Sequence, residues 1–340
     1  MRVIVFGAGA IGGVIAARLA LAGTEATVVA RGPHLAVIRE HGIAFEAPEG
    51  GRQVVRLEAG DGATRPGDVV LVTLKSYALP GAAEAIARLV APGGCAVFLQ
   101  NGLPWWYFRD IEGPFRDRAL PTLDPGGVLA SAIPQDALAG GVVSISATLP
   151  VPGEVRHTGG TAMAFGRPDG RADARLDALA EALRRAGLDA SLPGDPRPAI
   201  WTKLAVNIGL NGVAALTGAS LGDIWNDPHL PALVARLVAE AEALAAALGC
   251  PVHVDLEQRR RAAVGHHRSS TLQDLETGRP IEHEALFGAL LPIAWELGVA
   301  VPHIEAISAL LRRRALEAGC LPSAQSGAGM MKQPGGGEAP

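Results

Sequence analysis

"RVIVFGAGAIGGVIAARLALAG", Arg2 to Gly23, decides the fold. A short apolar, β-branched run is followed by glycines at 7, 9, 12 and 13, then by an alanine-rich stretch without a breaker until Gly23. That order reads as strand, tight turn and helix. Gly7, Gly9 and Gly12 form G-x-G-x-x-G at the turn. In this pattern the first glycine permits the turn, the second lets backbone approach a pyrophosphate, and the third allows close packing of the helix. The helix start at Ala10, Ile11 and Gly12 offers free N–H groups and the positive end of the helix dipole. The motif is weak alone but strong between a short strand and a long helix. The alternative is a tight turn that holds no ligand. The same stretch is apolar enough to suggest a signal peptide or membrane span, but its four glycines and Arg18 argue against both.

Working outward, "EATVVAR" is a second strand. "DVVLVTLK" and "CAVFLQNG" are two more, with a helix over Pro80–Leu89 between them. Alternating strands and helices indicate an α/β fold with a parallel sheet covered on both faces. The second strand bears on the choice of dinucleotide. An acid near its end holds the ribose 2′-OH of NAD. Here Ala30 stands at that place, with Arg31 next, which suits a 2′-phosphate and so NADP(H). The alternative for Arg31 is a solvated surface charge. From Gly141 the text becomes extended strands with turns, and "ADARLDALAEALRRAG" is an amphipathic helix. "LPGDPRP", Leu192 to Pro198, is a turn-rich break. Beyond it the chain reads as helices over 200–216, 229–248, around Thr271, 281–297 and 303–316. We therefore expect a Rossmann-type dinucleotide-binding domain over 1–194, an all-helical domain over 199–320, and a disordered tail over 321–340.

The net charge of −4 argues against a generic nucleic-acid or anionic-membrane binder. Cys95, Cys250 and Cys320 are odd in number and lack metal-finger spacing, so a reduced, cytoplasmic compartment is expected. His266, His267 and His283 have no zinc-site spacing, and "HEALF" lacks the second histidine of H-E-x-x-H, so no metal is expected.

Of 30 basic residues only three are lysines, Lys75, Lys203 and Lys332. Lysine can lose its proton when desolvated and arginine cannot, so a proton-transfer site has reason to demand lysine. Lys203 lies in "WTKLAVNIGLNGVAALTG" with Asn207 and Asn211 four and eight residues on, all on one helix face. One cation and two amides on an otherwise apolar helix need partners, from the protein or from a ligand. Lys75 and Asn101 each follow a strand, where open α/β sheets bind ligands. "HRSSTLQDLETGRPIEHEALFG" adds Ser269, Ser270, Asp274, Glu276, Glu282 and Glu284.

"LVTLK", "QNG", "WTKLAVNIGLN", "SSTLQD" and the glutamate of "PIEHE", in this order, resemble the ketopantoate reductases (2-dehydropantoate 2-reductases) over nearly the whole chain. That family has a Rossmann domain and an all-helical substrate domain, and reduces a branched 2-oxo acid with NADPH in pantothenate biosynthesis. The resemblance implies that Lys203 is the general acid and that Glu282 orients it and the substrate hydroxyl. It also implies that Ser270, Asn207 and Asn211 bind substrate, and that Asn101 and Lys75 line the nicotinamide and substrate cleft. The chemistry agrees, because hydride addition builds negative charge on the keto oxygen, which a nearby lysine stabilises and then neutralises. Lys-x-x-x-Asn on a helix also occurs in related hydroxyacid dehydrogenases, so it speaks for reaction type more than for substrate. A homodimer through the helical domain fits the same reading.

Three departures bear on the substrate. Phe287 stands where the family has asparagine before its glycine, His267 where asparagine is common, and "LPWWYF" places Trp105, Trp106, Tyr107 and Phe108 directly after Asn101-Gly102. An aromatic wall suits a bulkier or aromatic 2-oxo acid. The same side chains also suit interface packing. A non-catalytic NADPH-binding or sensing protein is the rival of another class, and retention of both Lys203 and Glu282 speaks against it.

Overall fold

The computed structural model describes residues 1–262 and 267–322. The tail beyond Pro322, with Lys332, and His266 lie outside the described residues.

The glycine-turn stretch is strand β1 (Arg2–Phe6) and helix α1 (Ala10–Leu21), followed by β2 (Glu25–Val29) and α2 (Gly32–His41). Three short strands come next, β3 (Ile43–Glu46), β4 (Arg52–Val55) and β5 (Glu58–Gly60). Then come β6 (Gly67–Val72), α3 (Ala83–Leu89), β7 (Val90–Leu99), α4 (Val128–Ala132) and the long pair β8 (Leu138–Thr148) and β9 (Glu154–Gly166). Helix α5 (Ala174–Arg185) and β10 (Asp189–Ser191) close this half. Among the described residues the sheet has ten strands in the order β4-β3-β9-β8-β7-β6-β1-β2-β5, with β10 beside β9. Its centre is parallel, from β8 to β5, whereas β8/β9 and β3/β4 are antiparallel. The sheet is therefore mixed rather than wholly parallel. Strands β3, β4, β5 and β10 escape a periodicity reading because they are three or four residues long and partly polar.

The rest is helical: α6 (Arg197–Thr217), α7 (Leu221–Asn226), α8 (Leu230–Ala247), α9 (Leu256–Ala262), α10 (Ser270–Glu276), α11 (Leu290–Leu297) and α12 (Pro302–Glu317). Helix α6 begins inside the proline-rich break, because Pro198 stands in its first turn, where a missing N–H costs nothing. The helix expected over 281–297 is interrupted. Glu284–Gly288 forms a π-turn, closed by the Ala289 amide donating to the Glu284 carbonyl at 2.9 Å. Helix α6 is long and apolar enough to cross a membrane, but 67% of its apolar window is buried inside the protein.

The period-2 alternation of β1 explains how the halves join. Val3 and Val5 face a core shared with α1 and α5. Ile4 and Phe6 face the other way, into a core that runs without a break through Trp105–Phe108 to Trp201, α8 and α12. Trp106, Tyr107 and Phe108 are at most 1% exposed. The Trp201 indole N–H donates to the Tyr107 hydroxyl at 2.7 Å, which pairs those two polar tips, while the Trp105 and Trp106 indole N–H groups are buried without a partner among the described residues. The aromatic cluster thus packs between the two halves, and the substrate-wall alternative loses its basis. Phe287 is also fully buried, stacked on His283 with centroids 6.1 Å apart and set against Gly212.

Candidate active site

The strand registers set the site. Phe6 is level with Val29 and with Val72, and Val72 with Phe98. The chain leaves β1, β2, β6 and β7 along one edge, the carboxyl edge where α/β sheets bind ligands. The glycine turn, Ala30-Arg31, Lys75 and Asn101 all follow on this edge. Leu99 is level with Gly141 of β8, so Val143 lies just past the end of β7 on the same side. The Lys203 ammonium donates to the Val143 carbonyl, which brings α6 to that edge.

The turn fits a dinucleotide. Gly7 has φ +108°, a left-handed conformation that favours glycine. A Cβ on Gly12 would meet the Gly7 carbonyl at 2.1 Å and the Thr73 hydroxyl at 2.4 Å, so the third glycine is required by packing. A Cβ on Gly9 would meet nothing within 4 Å. Gly9 is therefore not needed by the protein's own packing, and its bare backbone leaves room for a phosphate to approach. The Ala10, Ile11 and Gly12 amides open α1, where the first-turn N–H groups have no intrahelical acceptor. Ala30 is buried and Arg31 exposed, with no hydrogen-bond or ion-pair partner for the guanidinium among the described residues.

Lys203 is half-buried. Burial lowers its pKa from the ordinary value to about 8, against the opposing field of Glu282. Asn207, half-buried, and Asn211, 7% exposed, follow on the same face, and neither amide has a hydrogen-bond partner among the described residues. Glu282 is 6% exposed, and one carboxylate oxygen accepts from the Ser76 amide at 2.9 Å. The other lies 3.7 Å from the Lys75 ammonium. Lys75 also donates to Asp274 at 2.5 Å. Desolvation works against the Lys75 charge, but Glu282 and Asp274 outweigh it and raise its pKa. The structure thus brings Lys203, Glu282, Lys75 and the turn to one edge. Its closest cation to Glu282 is Lys75, and Lys203 shares only a longer-range field with it.

Asn101 is half-buried and makes no side-chain hydrogen bond among the described residues. Next to it, Gly102 has φ +84°, and a Cβ there would meet the Ala285 carbonyl at 2.4 Å, so the loop after β7 lies directly on the π-turn. Ser270 is exposed at the start of α10, while Ser269 caps that helix by accepting from the Leu272 amide. His267 is exposed and its carbonyl accepts from Leu221. Among the described residues no three His, Cys, Asp or Glu side chains gather as a metal site would require. The three cysteines are free and buried.

Sequence reasoning missed the Val143 carbonyl and the Ser76 amide, which leave no signature in residue type. It also missed His34, which bridges the Ala8 carbonyl at 2.6 Å and the Gly153 amide at 2.9 Å. Because Gly153 donates to Nδ1, the proton on Nε2 is the one given to Ala8, so His34 pins the middle of the glycine turn.

A Rossmann-type sheet, a dinucleotide turn and a half-buried lysine on the opposing helix define a dinucleotide-dependent oxidoreductase. Two family models match the chain, Ketopantoate reductase PanE/ApbA over residues 3–170 and its C-terminal counterpart over 195–315. A 2-dehydropantoate 2-reductase from Mesorhizobium japonicum is 39% identical over 94% of this chain and 99% of its own. The chain belongs to the ketopantoate reductase family, a family of NADP-dependent oxidoreductases. A Ralstonia solanacearum MolK2 structure, provisionally named a ketopantoate reductase, superposes with TM-score 0.86 at 36% identity, covering 94% of this chain and 98% of that one. A D-mandelate dehydrogenase with NADH and anilino(oxo)acetate superposes with TM-score 0.79 at 20% identity over 94% of this chain and 99% of its own, a likeness of fold alone.

Proposed function

We propose that this chain reduces a 2-oxo acid to the 2-hydroxy acid with NADPH, and that the acid is 2-dehydropantoate, giving pantoate. One observation carries the reading. Lys203, with a pKa lowered to about 8, shares a helix face with two amides that have no protein partner among the described residues, at the sheet's carboxyl edge. Gly7, Gly9, Ala10, Ile11 and Gly12 would hold the pyrophosphate, Arg31 the 2′-phosphate, and Lys75 and Asn101 the nicotinamide end. The dinucleotide, when bound, supplies the hydride. Lys203 holds a proton at Nζ and gives it to the keto oxygen as charge develops there. A pKa near 8 keeps most of that lysine charged at neutral pH while leaving the proton transferable. Asn207, Asn211 and Ser270 bind the carboxylate and hydroxyl. Glu282 keeps Lys203 charged and fixes the 75–77 loop through the Ser76 amide.

The division into 1–194 and 199–320 belongs to this reading, as do a cytoplasmic setting and a homodimer through the helical half, without nucleic acid or membrane. The bulkier-substrate alternative gains nothing from Trp105–Phe108 or Phe287, which are core side chains. The test is the initial rate of NADPH oxidation with 2-dehydropantoate beside phenylglyoxylate and other 2-oxo acids. Fast turnover of 2-dehydropantoate supports the reading. Negligible turnover of it beside good turnover of a bulkier acid overturns the substrate, and no turnover of any overturns the reaction.

A further inference from the structure

Asp274 has no part in the chemistry described so far, yet it is 5% exposed and carries two cations. One oxygen takes the Lys75 ammonium at 2.5 Å, and the other takes the Arg279 guanidinium at 3.1 Å. Lys75 comes from the sheet half and Asp274 from α10. A buried carboxylate needs such partners, and losing one leaves an uncompensated charge. The arrangement also divides labour between two acids. Lys75 lies between Asp274 at 2.5 Å and Glu282 at 3.7 Å, so Asp274 holds it more closely. Glu282 is left with its Ser76 hydrogen bond and a field that reaches Lys203.

We propose that Asp274 is a positioning residue: it draws the Lys75 ammonium away from Glu282, so that the Glu282 carboxylate remains available to keep Lys203 protonated. This rests on the oxidoreductase reading for its consequence in catalysis, although the electrostatic relation can be read without turnover. Without the Asp274 charge, Lys75 moves onto Glu282 and neutralises its field at Lys203. The groups facing this cluster are Tyr77 beside Lys75, Arg279 and the Cys320 thiol near Asp274, and Glu282 itself. Glu282 is the charged group whose field bears on Lys203.

The sequence makes the measurement direct, because three lysines give three side-chain signals when lysine is labelled with ¹³C at Cε. The unliganded protein and its Asp274→Asn and Asp274→Glu variants are titrated by NMR, with Lys203→Ala and Lys75→Met assigning the signals. In Asp274→Asn the Lys203 midpoint is expected about half a pH unit or more below that of the parent, a shift of the size one charge exerts across a partly buried site. The pH at which NADPH-dependent reduction falls off on the alkaline side moves with it, and Asp274→Glu restores both. An unchanged Lys203 midpoint in folded Asp274→Asn overturns the proposal, even if turnover drops, because a structural role alone would lower the rate without moving the titration. If Asp274→Asn does not fold, Asp274→Glu and Lys75→Met decide the matter. Removing Lys75 should raise the Lys203 midpoint, and failure to raise it overturns the proposal. An inactive parent with the expected titrations overturns the functional reading and leaves this inference standing.

Discussion

The Glu282 carboxylate accepts the Ser76 amide at 2.9 Å across 206 residues of sequence. A side chain of the helical half thereby fixes the backbone that follows β6 and presents Lys75. The candidate site is assembled from both halves at once, and its electrostatics follow from that joint.

If Lys203 is the proton donor, it should set the alkaline limit of activity. The proton it gives is present below its pKa, so the rate of reduction should fall as pH rises through about 8. Lys203→Ala should lose about 10²- to 10⁴-fold in kcat/KM, the usual worth of a general acid. Lys203→Arg should not restore the rate, because arginine holds its proton. Stability should move the other way. Folding lowers this pKa from 10.5, so burial of the charge costs stability below pH 8, and the cost fades as pH rises toward 10.5. Lys203→Ala should therefore keep or raise the melting temperature. A variant that unfolds would show the polar stripe to be structural.

Gly9 and Gly12 should separate binding from folding. Gly12→Ala puts a methyl 2.1 Å from the Gly7 carbonyl, and should cost stability and binding together. Gly9→Ala meets nothing within 4 Å among the described residues, so its urea midpoint should stay within error while the NADPH dissociation constant rises at least about tenfold. Chemical denaturation and dinucleotide fluorescence titration measure the two effects.

Arg31 should decide between dinucleotides. Its exposed guanidinium has no protein partner among the described residues, so Arg31→Ala should leave stability unchanged. The ratio of kcat/KM for NADPH over NADH should fall about 10- to 100-fold, the worth of one charge-assisted hydrogen bond. An unaltered ratio would make Arg31 a solvated surface charge.

Acid stability should draw on Asp169. Its hydrogen bonds with Arg167 lower its pKa from 3.8 to about 2, and its side chain is 9% exposed. The folded state therefore favours the ionised form. That stability is fully present above pH 3.8 and is lost as pH falls through 2. Asp169→Asn should cost about 2 kcal/mol at pH 7, and the gap from the parent should close by pH 2 in urea titrations.

The fold was legible where one residue type has one use. Gly7, Gly9 and Gly12 announced the turn, and the i, i+4, i+8 spacing of Lys203, Asn207 and Asn211 announced a polar helix face. Strands such as Arg52–Val55 were not, because a short exposed edge leaves no hydrophobic pattern. Trp105–Phe108 was ambiguous since apolar rings serve a substrate wall and a core equally, and only their burial separates the two. Backbone partners are illegible in principle: any residue at 143 offers a carbonyl and any non-proline at 76 an amide. The π-turn at Glu284–Gly288 was hidden for a similar reason, as its sequence reads like the helix it interrupts.

The site is also ordered in time by where its parts lie along the chain. The glycine turn, Arg31, Lys75 and Asn101 leave the ribosome before Lys203, Asp274 and Glu282 are made. A chain arrested at the end of β10 would have every described strand of the sheet and the glycine turn, but neither Lys203 nor Asp274 and Glu282. It would also lack Trp201 of α6, whose indole donates to the Tyr107 hydroxyl and meets that ring edge-on in the finished protein. Synthesis of the helical half thus completes the candidate site and pairs the Tyr107 hydroxyl in one event.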